Sequence, residues 1–337
     1  MEKKTTQMIK GMAIIIMITH HFIVMPFIEL PYLVTLFGYA CKICVAIYAV
    51  LSGYGYFFAK EKTVRYGMKK IWGLLQIYWI SLFTLFIPAA MSGGWKLTPW
   101  SLIVQLFGLL PNLNWFAWYV FFYIFCMLIM PVLYRYKIFH FKPVMNLAIM
   151  IIAPYVIAVV LHTFPSYGEN TIINDLFSCF LYFPCFLVGF WMAENKVIER
   201  IKQNKVLKNP LYGFIGIVLI FVARIVSNSI VSLPLDVIYA PVLICMICSL
   251  AKVLNLKYVS IILGVLGKFS TGMWFFHAVF FSTYICDFFQ PILFIVKNPI
   301  LMYVWLILLS LTGAFIFQIL LNGIKCIPEV IKRRPER

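Results

Sequence analysis

Charge is scarce in this chain, and negative charge most of all. Of 337 residues only 11 are Asp or Glu, against 28 Lys or Arg, and charged residues make up 12% of the total. A soluble globular domain carries roughly a quarter, so an ordinary water-soluble fold is excluded. Period-two alternation of apolar and polar residues is also missing, which excludes a transmembrane β-barrel. The first apolar run has no small-residue cleavage site behind it, so it reads as a mature helix and not as a signal peptide. Cys41 and Cys44 make a C-x-x-C spacing inside an apolar run, where thiols are expected to fill space, and no metal site is expected.

What is abundant is apolar surface: 64% hydrophobic residues, 18% aromatic, and a mean hydropathy of +0.97. Runs of about 20 apolar residues, enough to cross a hydrocarbon core of ~30 Å, recur along the whole length. The predicted fold class is therefore an all-α polytopic membrane protein of about ten transmembrane helices. Their expected positions are 11–28, 33–58, 71–91, 115–134, 143–162, 173–193, 210–228, 236–253, 269–286 and 299–321. One membrane domain over 1–337 accounts for the chain, with no fused extracytoplasmic domain expected. The stretch "SGGWKLTPWSLIVQLFGLLPNLN" at 92–114 holds an apolar piece too short to span. It reads as an interfacial or re-entrant helix anchored by Trp95 and Trp100.

The net charge of +17 is a topology signal, and no nucleic-acid partner is expected. Of the 28 basic residues, 24 fall in alternate inter-span segments, the opposite segments hold Lys96 and Lys297, and Lys42 and Arg224 lie within spans. That asymmetry places both termini in the cytoplasm. The inner segments "KEKTVRYGMKK" (60–70) and "ENKVIERIKQNKVLK" (194–208) suit attraction to anionic membrane lipid. Docking of an anionic cytoplasmic substrate is the alternative reading.

Ionisable groups inside spans are costly and are functional candidates by default. His20, His21, Lys42, Arg224 and His277 qualify, and Lys10 sits at the inner end of the first span. Lys10 and His21 are 11 residues apart, about 1100° of helical rotation, which brings them within roughly 20° of eclipsed and ~16 Å apart along the axis. His20 points about 100° away and is expected to pack against, or hydrogen-bond to, a neighbouring helix. A cation at the cytoplasmic mouth suits a phosphate-bearing ligand, and an imidazole deeper in suits general-base work. A snorkelling lysine beside a packing histidine is the plainer reading of the same pair. Lys42 suits either an ion pair with a carboxylate such as Glu29 or a ligand role. Arg224 suits snorkelling to the outer interface or the acceptor side. His277 suits a pocket wall or a helix-to-helix hydrogen bond. Trp115, Trp118 and Tyr119 suit an aromatic belt or a sugar-stacking platform.

The order of motifs narrows these readings. "KGMAIIIMITHHF" opens the first span, "VLSGYGYFF" (50–58) closes the second, and "MKKIWGLLQIYWI" (68–80) follows the basic loop. Then come "NWFAWYVFFYIFCMLIMPVL" (114–133), "YFPCFLVGFWMAE" (182–194) and "LGKFSTGMWFFHAVFF" (266–281). Over nearly its whole length the chain resembles the membrane acyltransferase-3 family of bacterial integral membrane O-acyltransferases. That resemblance implies acyl transfer, usually of acetyl from cytoplasmic acetyl-CoA, to a hydroxyl of an extracytoplasmic or lipid-linked acceptor, often a carbohydrate. It also implies a multi-pass protein of the bacterial cytoplasmic membrane. The family's essential histidine falls on His21 and its basic partner on Lys10, where the family usually carries arginine. Lysine keeps the charge and loses bidentate geometry. Of the two basic residues three apart before the third span, Lys70 matches the first and Gly73 stands at the second, with Lys69 and Arg65 nearby. The implied donor site is thus Lys10, Arg65, Lys69 and Lys70, and the implied catalytic residue is His21. Lys42, Trp118, Arg224 and His277 are further pocket candidates. The competing class is a multi-pass transporter of an anionic small molecule, against which no inverted repeat is visible.

Overall fold

The computed structural model describes residues 1–24, 29–94, 96–111, 113–136, 138, 141–168, 171–204, 209–230, 234–282 and 285–332, without the side chains of 229, 251–252, 286 and 327–332. Trp95 and the basic residues Lys137, Lys205, Lys208, Arg333, Arg334 and Arg337 lie outside the described residues. The described chain is 83% helical and contains no strand. Among the described residues nine helices are long and apolar enough to cross a membrane: Lys3–Val24, Tyr32–Phe57, Val64–Ser92, Trp115–Arg135, Pro143–His162, Ile172–Glu194, Pro210–Asn228, Lys257–Phe280 and Pro299–Cys326. The tenth predicted span is the shorter helix Asp236–Ser249, whose 14 residues rise about 21 Å. The protein is an all-α polytopic membrane protein.

Several helices outrun the apolar runs that betrayed them. The first begins at Lys3, because Thr5, Thr6, Gln7 and Met8 continue a helix that hydropathy alone does not see. The expected ninth span, 269–286, is corrected to Lys257–Phe280. Its Gly264, Gly267 and Lys268 read as a break in sequence, yet they sit in mid-helix. The expected re-entrant piece is a helix of eight residues, Pro99–Leu106, started by the Thr98 hydroxyl accepting from the Ser101 amide at 3.1 Å. Trp100 on it is exposed.

Two compact units divide the chain: Met1–Met68 with Phe122–Lys268, and Lys69–Phe121 with Phe269–Arg337. In the first unit, Cys44–Phe57 packs along Ile172–Glu194, and Pro143–His162 also packs on that helix. Small residues let the first pair touch backbone to backbone: a Cβ on Gly53 would strike the Phe186 carbonyl, and one on Gly189 would strike the Val50 carbonyl. The same device joins Lys3–Val24 to the start of the Lys257–His277 helix. A Cβ on Gly11 would strike the Leu263 carbonyl, and one on Gly267 the Gln7 carbonyl. The Tyr32–Phe57 span is broken in its middle by a tight 3₁₀ turn, Cys41–Ile43, between Tyr32–Ala40 and Cys44–Phe57.

The second unit holds the Pro99–Leu106 helix by its backbone. Tyr78 donates to the Gln105 carbonyl at 2.6 Å and the Trp79 indole to the Leu106 carbonyl at 2.8 Å. The chain then turns at Gly108 (φ +69°), where a Cβ would lie 2.7 Å from the Ala117 carbonyl.

Candidate active site

Lys10 and His21 share one unbroken helix, Lys3–Val24, so the helical spacing that puts them on a common stripe applies without a kink. Both are half-buried. The stripe continues back toward the start of the helix at the same spacing: Lys3, Gln7, Lys10, Ile14, Met17 and His21 stand at steps of three or four residues. Ile14 and Met17, between the lysine and the histidine, are buried. The Tyr48 hydroxyl donates to the Lys10 carbonyl at 3.2 Å, fixing the first half of the helix against the Cys44–Phe57 segment.

His20 has a different task. Its Nδ1 lies 2.8 Å from the Gly38 carbonyl, which can only accept, so Nδ1 carries the proton and Nε2 the lone pair. This is the bond to the neighbouring helix that the sequence pattern predicted for it. The His20 and His21 rings stand 5.0 Å apart, tilted by 55°.

The Gly38 carbonyl belongs to the last turn before the 3₁₀ break, and the break itself is clamped by Arg224. That side chain is 2% exposed and forms a two-pronged ion pair with Asp236: Nε to Oδ1 at 2.7 Å and Nη2 to Oδ2 at 3.0 Å. Its Nη1 donates to the carbonyls of Tyr39 and Ala40, both at 2.8 Å. Four of the five guanidinium N–H directions are thereby spent inside the protein. Arg224 is buried among these partners and does not snorkel outward. Asp236, whose part the sequence reading missed, is as buried as its partner at 2%. One of eleven acidic residues within an apolar helix was the available signal.

Lys42 sits in the 3₁₀ turn with an exposed side chain, and among the described residues it makes no ion pair with Glu29 or any other carboxylate. Arg65, Lys69 and Lys70 are exposed on the opening turns of the Val64–Ser81 helix. Lys69 and Lys70 belong to the second unit, as do Trp118 and His277.

Within that second unit, His277 is fully buried, with Nδ1 bonded to the carbonyls of Met273 and Trp274 one turn back and its ring 5.3 Å from that of Phe116. Trp118 is half-buried and meets Tyr119 edge to face at 5.9 Å, and Tyr119 meets Trp274 the same way at 5.6 Å. Cys41 and Cys44 are buried free thiols, as are Cys245 and Cys248, a second C-x-x-C pair in the Asp236–Ser249 helix. Among the described residues no group of three or more His, Cys, Asp or Glu side chains is placed to hold a metal ion.

Sequence reasoning also passed over Lys3, Lys4, Gln7, Gly264 and Lys268, which line a cavity of about 530 Å³ in the first unit. The stripe spacing of Lys3, Gln7 and Lys10 was the signal that would have pointed there.

No curated protein and no solved structure matches the chain. The family model described as an acyltransferase domain matches residues 7–319, from the first turns of the opening helix into the last one. That span carries Lys10, His21, the 3₁₀ break and all nine long helices, in whole or in large part. The chain belongs to the acyltransferase-3 family, and it is a membrane acyltransferase.

Proposed function

We propose that this membrane acyltransferase takes its acyl group, acetyl in the first instance, from cytoplasmic acetyl-CoA. The acceptor is a hydroxyl of an extracytoplasmic or lipid-linked molecule, a sugar by preference. Both termini then lie in the cytoplasm, and the chain sits in a bacterial cytoplasmic membrane, as the distribution of basic residues suggests. The observation that carries this reading is the pairing of Lys10 and His21 on one stripe of an unbroken helix in a chain of this family.

Imidazole ionises near neutral pH and is suited to move a proton in either direction. His21 accepts the proton of the acceptor hydroxyl as its oxygen attacks the thioester carbonyl. The tetrahedral intermediate collapses, the C–S bond breaks, and the departing thiolate takes the proton back from the imidazolium. The products are an acyl ester and free CoA, and His21 is regenerated. Lys10, Arg65, Lys69 and Lys70 supply positive charge for the donor's phosphates. Trp118 offers a stacking face for a sugar ring, His277 a buried polar wall, and Lys42 a charge beside the histidine pair. His20 and Arg224 hold the helix break against which that pair is set.

The test is consumption of radiolabelled acetyl-CoA by purified protein, native against His21→Ala and His20→Ala. Native turnover, its loss in His21→Ala and its partial survival in His20→Ala are the expected pattern. General acid–base catalysis contributes about 10²–10⁴-fold, so a His21→Ala protein that keeps more than a tenth of native turnover overturns the assignment. If folded native protein neither binds nor consumes acetyl-CoA, the donor is wrong and solute uptake becomes the next assay.

A further inference from the structure

Asn114, in the second unit, is fully buried, and among the described residues neither end of its side-chain carboxamide has a hydrogen-bond partner. Burying a carboxamide in that state is costly, because its N–H donors and its carbonyl acceptor have all left water. A structural task is open to it and is not taken. Asn114 stands at the cap position of the Trp115–Ala117 turn, which runs straight into the Trp118–Arg135 helix. Asparagine in that position ordinarily accepts from an amide of the first turn, and here the side chain makes no such bond. The backbone carbonyl of Asn114 accepts from the Ala117 amide at 2.8 Å, so the turn is closed without the side chain.

The segment that delivers Asn114 satisfies another carboxamide completely. Gln105 is buried, its Nε2 donates to the Leu110 carbonyl at 2.7 Å, and its Oε1 accepts from the Leu113 amide at 3.5 Å. Between them the chain holds Leu110 at φ +45°, a left-handed conformation that leucine adopts only when its surroundings impose it. Gln105 therefore fixes a strained segment in place, and that segment sets an unbonded carboxamide inside the protein. A buried polar group without a partner calls for a reason, and a ligand that supplies the partner is one.

The neighbours narrow the chemistry of that ligand. Trp115 is exposed and Trp118 half-buried, one and four residues on. The Phe116 ring lies 5.3 Å from that of His277 and 6.3 Å from that of Phe281. These rings carry no permanent charge, which favours a neutral ligand group. A carboxamide offers a donor and an acceptor side by side, and a hydroxyl, itself both donor and acceptor, completes it. Aromatic walls with a few placed polar groups are the usual lining of a small-molecule site. In the orientation proposed above, Asn114 and His277 both lie at the outer ends of their helices, the side on which an extracytoplasmic acceptor arrives.

We propose that Asn114 binds a hydroxyl of the acyl acceptor, so that the second unit carries part of the acceptor site. This rests on the acyl-transfer reading above and adds a binding residue to it. The amides of the donor's pantetheine arm present the same pairing of donor and acceptor, so the experiment separates the two sources.

Asn114→Leu keeps the branched shape of the side chain and removes its hydrogen bonding. Purified full-length protein is assayed for hydrolysis of radiolabelled acetyl-CoA and for its thermal midpoint. Inverted vesicles of the producing membrane are assayed for label transferred to acceptor material. Transfer relative to hydrolysis should fall by about tenfold or more in the variant. Its thermal midpoint should stand at or above the native value, because an unbonded buried amide has been exchanged for an apolar group. Asn146→Leu is the contrast: that buried carboxamide accepts from the Phe141 amide at 3.0 Å, and its loss should lower the midpoint. A midpoint lowered in Asn114→Leu as in Asn146→Leu would show a structural partner and overturn the proposal, as would an unchanged ratio of transfer to hydrolysis. A raised KM for acetyl-CoA in the hydrolysis assay would give Asn114 to the pantetheine arm and refute the acceptor assignment. The neutral sugar methyl β-D-glucopyranoside gives a readout that does not depend on turnover. It should raise the thermal midpoint of native protein and not that of Asn114→Leu, and an equal effect on both overturns the sugar assignment. Native protein that consumes no acetyl-CoA and still shows this difference would fault the donor reading and leave the Asn114 site standing.

Discussion

Arg224 and Asp236 make a prediction whose size follows from their burial. Each residue is 2% exposed, and the carboxylate receives both prongs of the guanidinium. Replacing Arg224 with leucine leaves the Asp236 carboxylate buried without a counter-charge, which costs about 3–5 kcal/mol. It also removes the donor shared by the Tyr39 and Ala40 carbonyls. Asp236→Leu should cost less, toward the lower end of that range, because the guanidinium keeps those two carbonyls. The double variant removes both charges together, and a buried ion pair exchanged for apolar side chains is often near neutral. The two carbonyls still lose their donor, so the double variant should lie about 1–3 kcal/mol below native. The cycle should therefore give a coupling energy of at least about 2 kcal/mol. Equilibrium denaturation in mixed micelles measures all four corners. Turnover of acetyl-CoA should fall with stability in the single variants, because the clamp sets the break whose Gly38 carbonyl holds His20. Additive losses, or single variants within about 1 kcal/mol of native, would refute the account of Arg224 as a clamp.

Four further expectations are simpler. Gly189→Ala should cost about 2–3 kcal/mol, since its Cβ meets the Val50 backbone and not a yielding side chain; the same micelle denaturation measures it. Gly73 is exposed in mid-helix with no atom within 4 Å of a Cβ, so Gly73→Arg should gain about 0.5–1 kcal/mol in helix propensity. The same change should lower the KM for acetyl-CoA, because it restores the second basic residue of the family's pair; an unchanged KM counts against the Lys69–Lys70 region as part of the donor site. Lys10→Arg should also lower KM, by adding two-pronged phosphate contact at the same charge. His20→Ala should lose about 1 kcal/mol through the Gly38 bond, with kcat falling by less than in His21→Ala.

The fold was legible because hydrocarbon leaves few options. Runs such as Pro143–His162 satisfy their backbone internally and coincide with the expected span to the residue, and Pro210–Ile230 overruns its expected span by two residues. Boundaries failed where the signal for membrane and the signal for helix part company. Residues 257–268 carry lysines and glycines that depress hydropathy, yet Gly267 lies in the helix because a neighbouring backbone needs its missing side chain. The common stripe of Lys10 and His21 was legible along a single helix, where spacing fixes direction, and the contacts between helices were much less so. Nothing in the sequence pairs Arg224 with Asp236 across a twelve-residue gap, or sends its third nitrogen to the carbonyls of Tyr39 and Ala40. Those partners exist only once the helices of the first unit are packed.

Packing also separates the polar groups of the spans by what each one answers to. A polar side chain in an apolar span must find a partner or a reason to be there. Arg224 has a carboxylate and two carbonyls, and its removal should be read first in stability. His277 has carbonyls of its own helix and an aromatic surround, an arrangement that a packed histidine needs whatever its chemistry. His20 has Gly38, and its proton position is set by that bond. Lys10 and His21 stand on a common stripe of one unbroken helix that runs back to Gln7 and Lys3. The acyl-transfer proposal gives that stripe a phosphate-binding ammonium toward one end and a proton acceptor at the other. For that reason substitutions along the stripe should be read in KM and kcat, and those at the clamp in the free energy of unfolding.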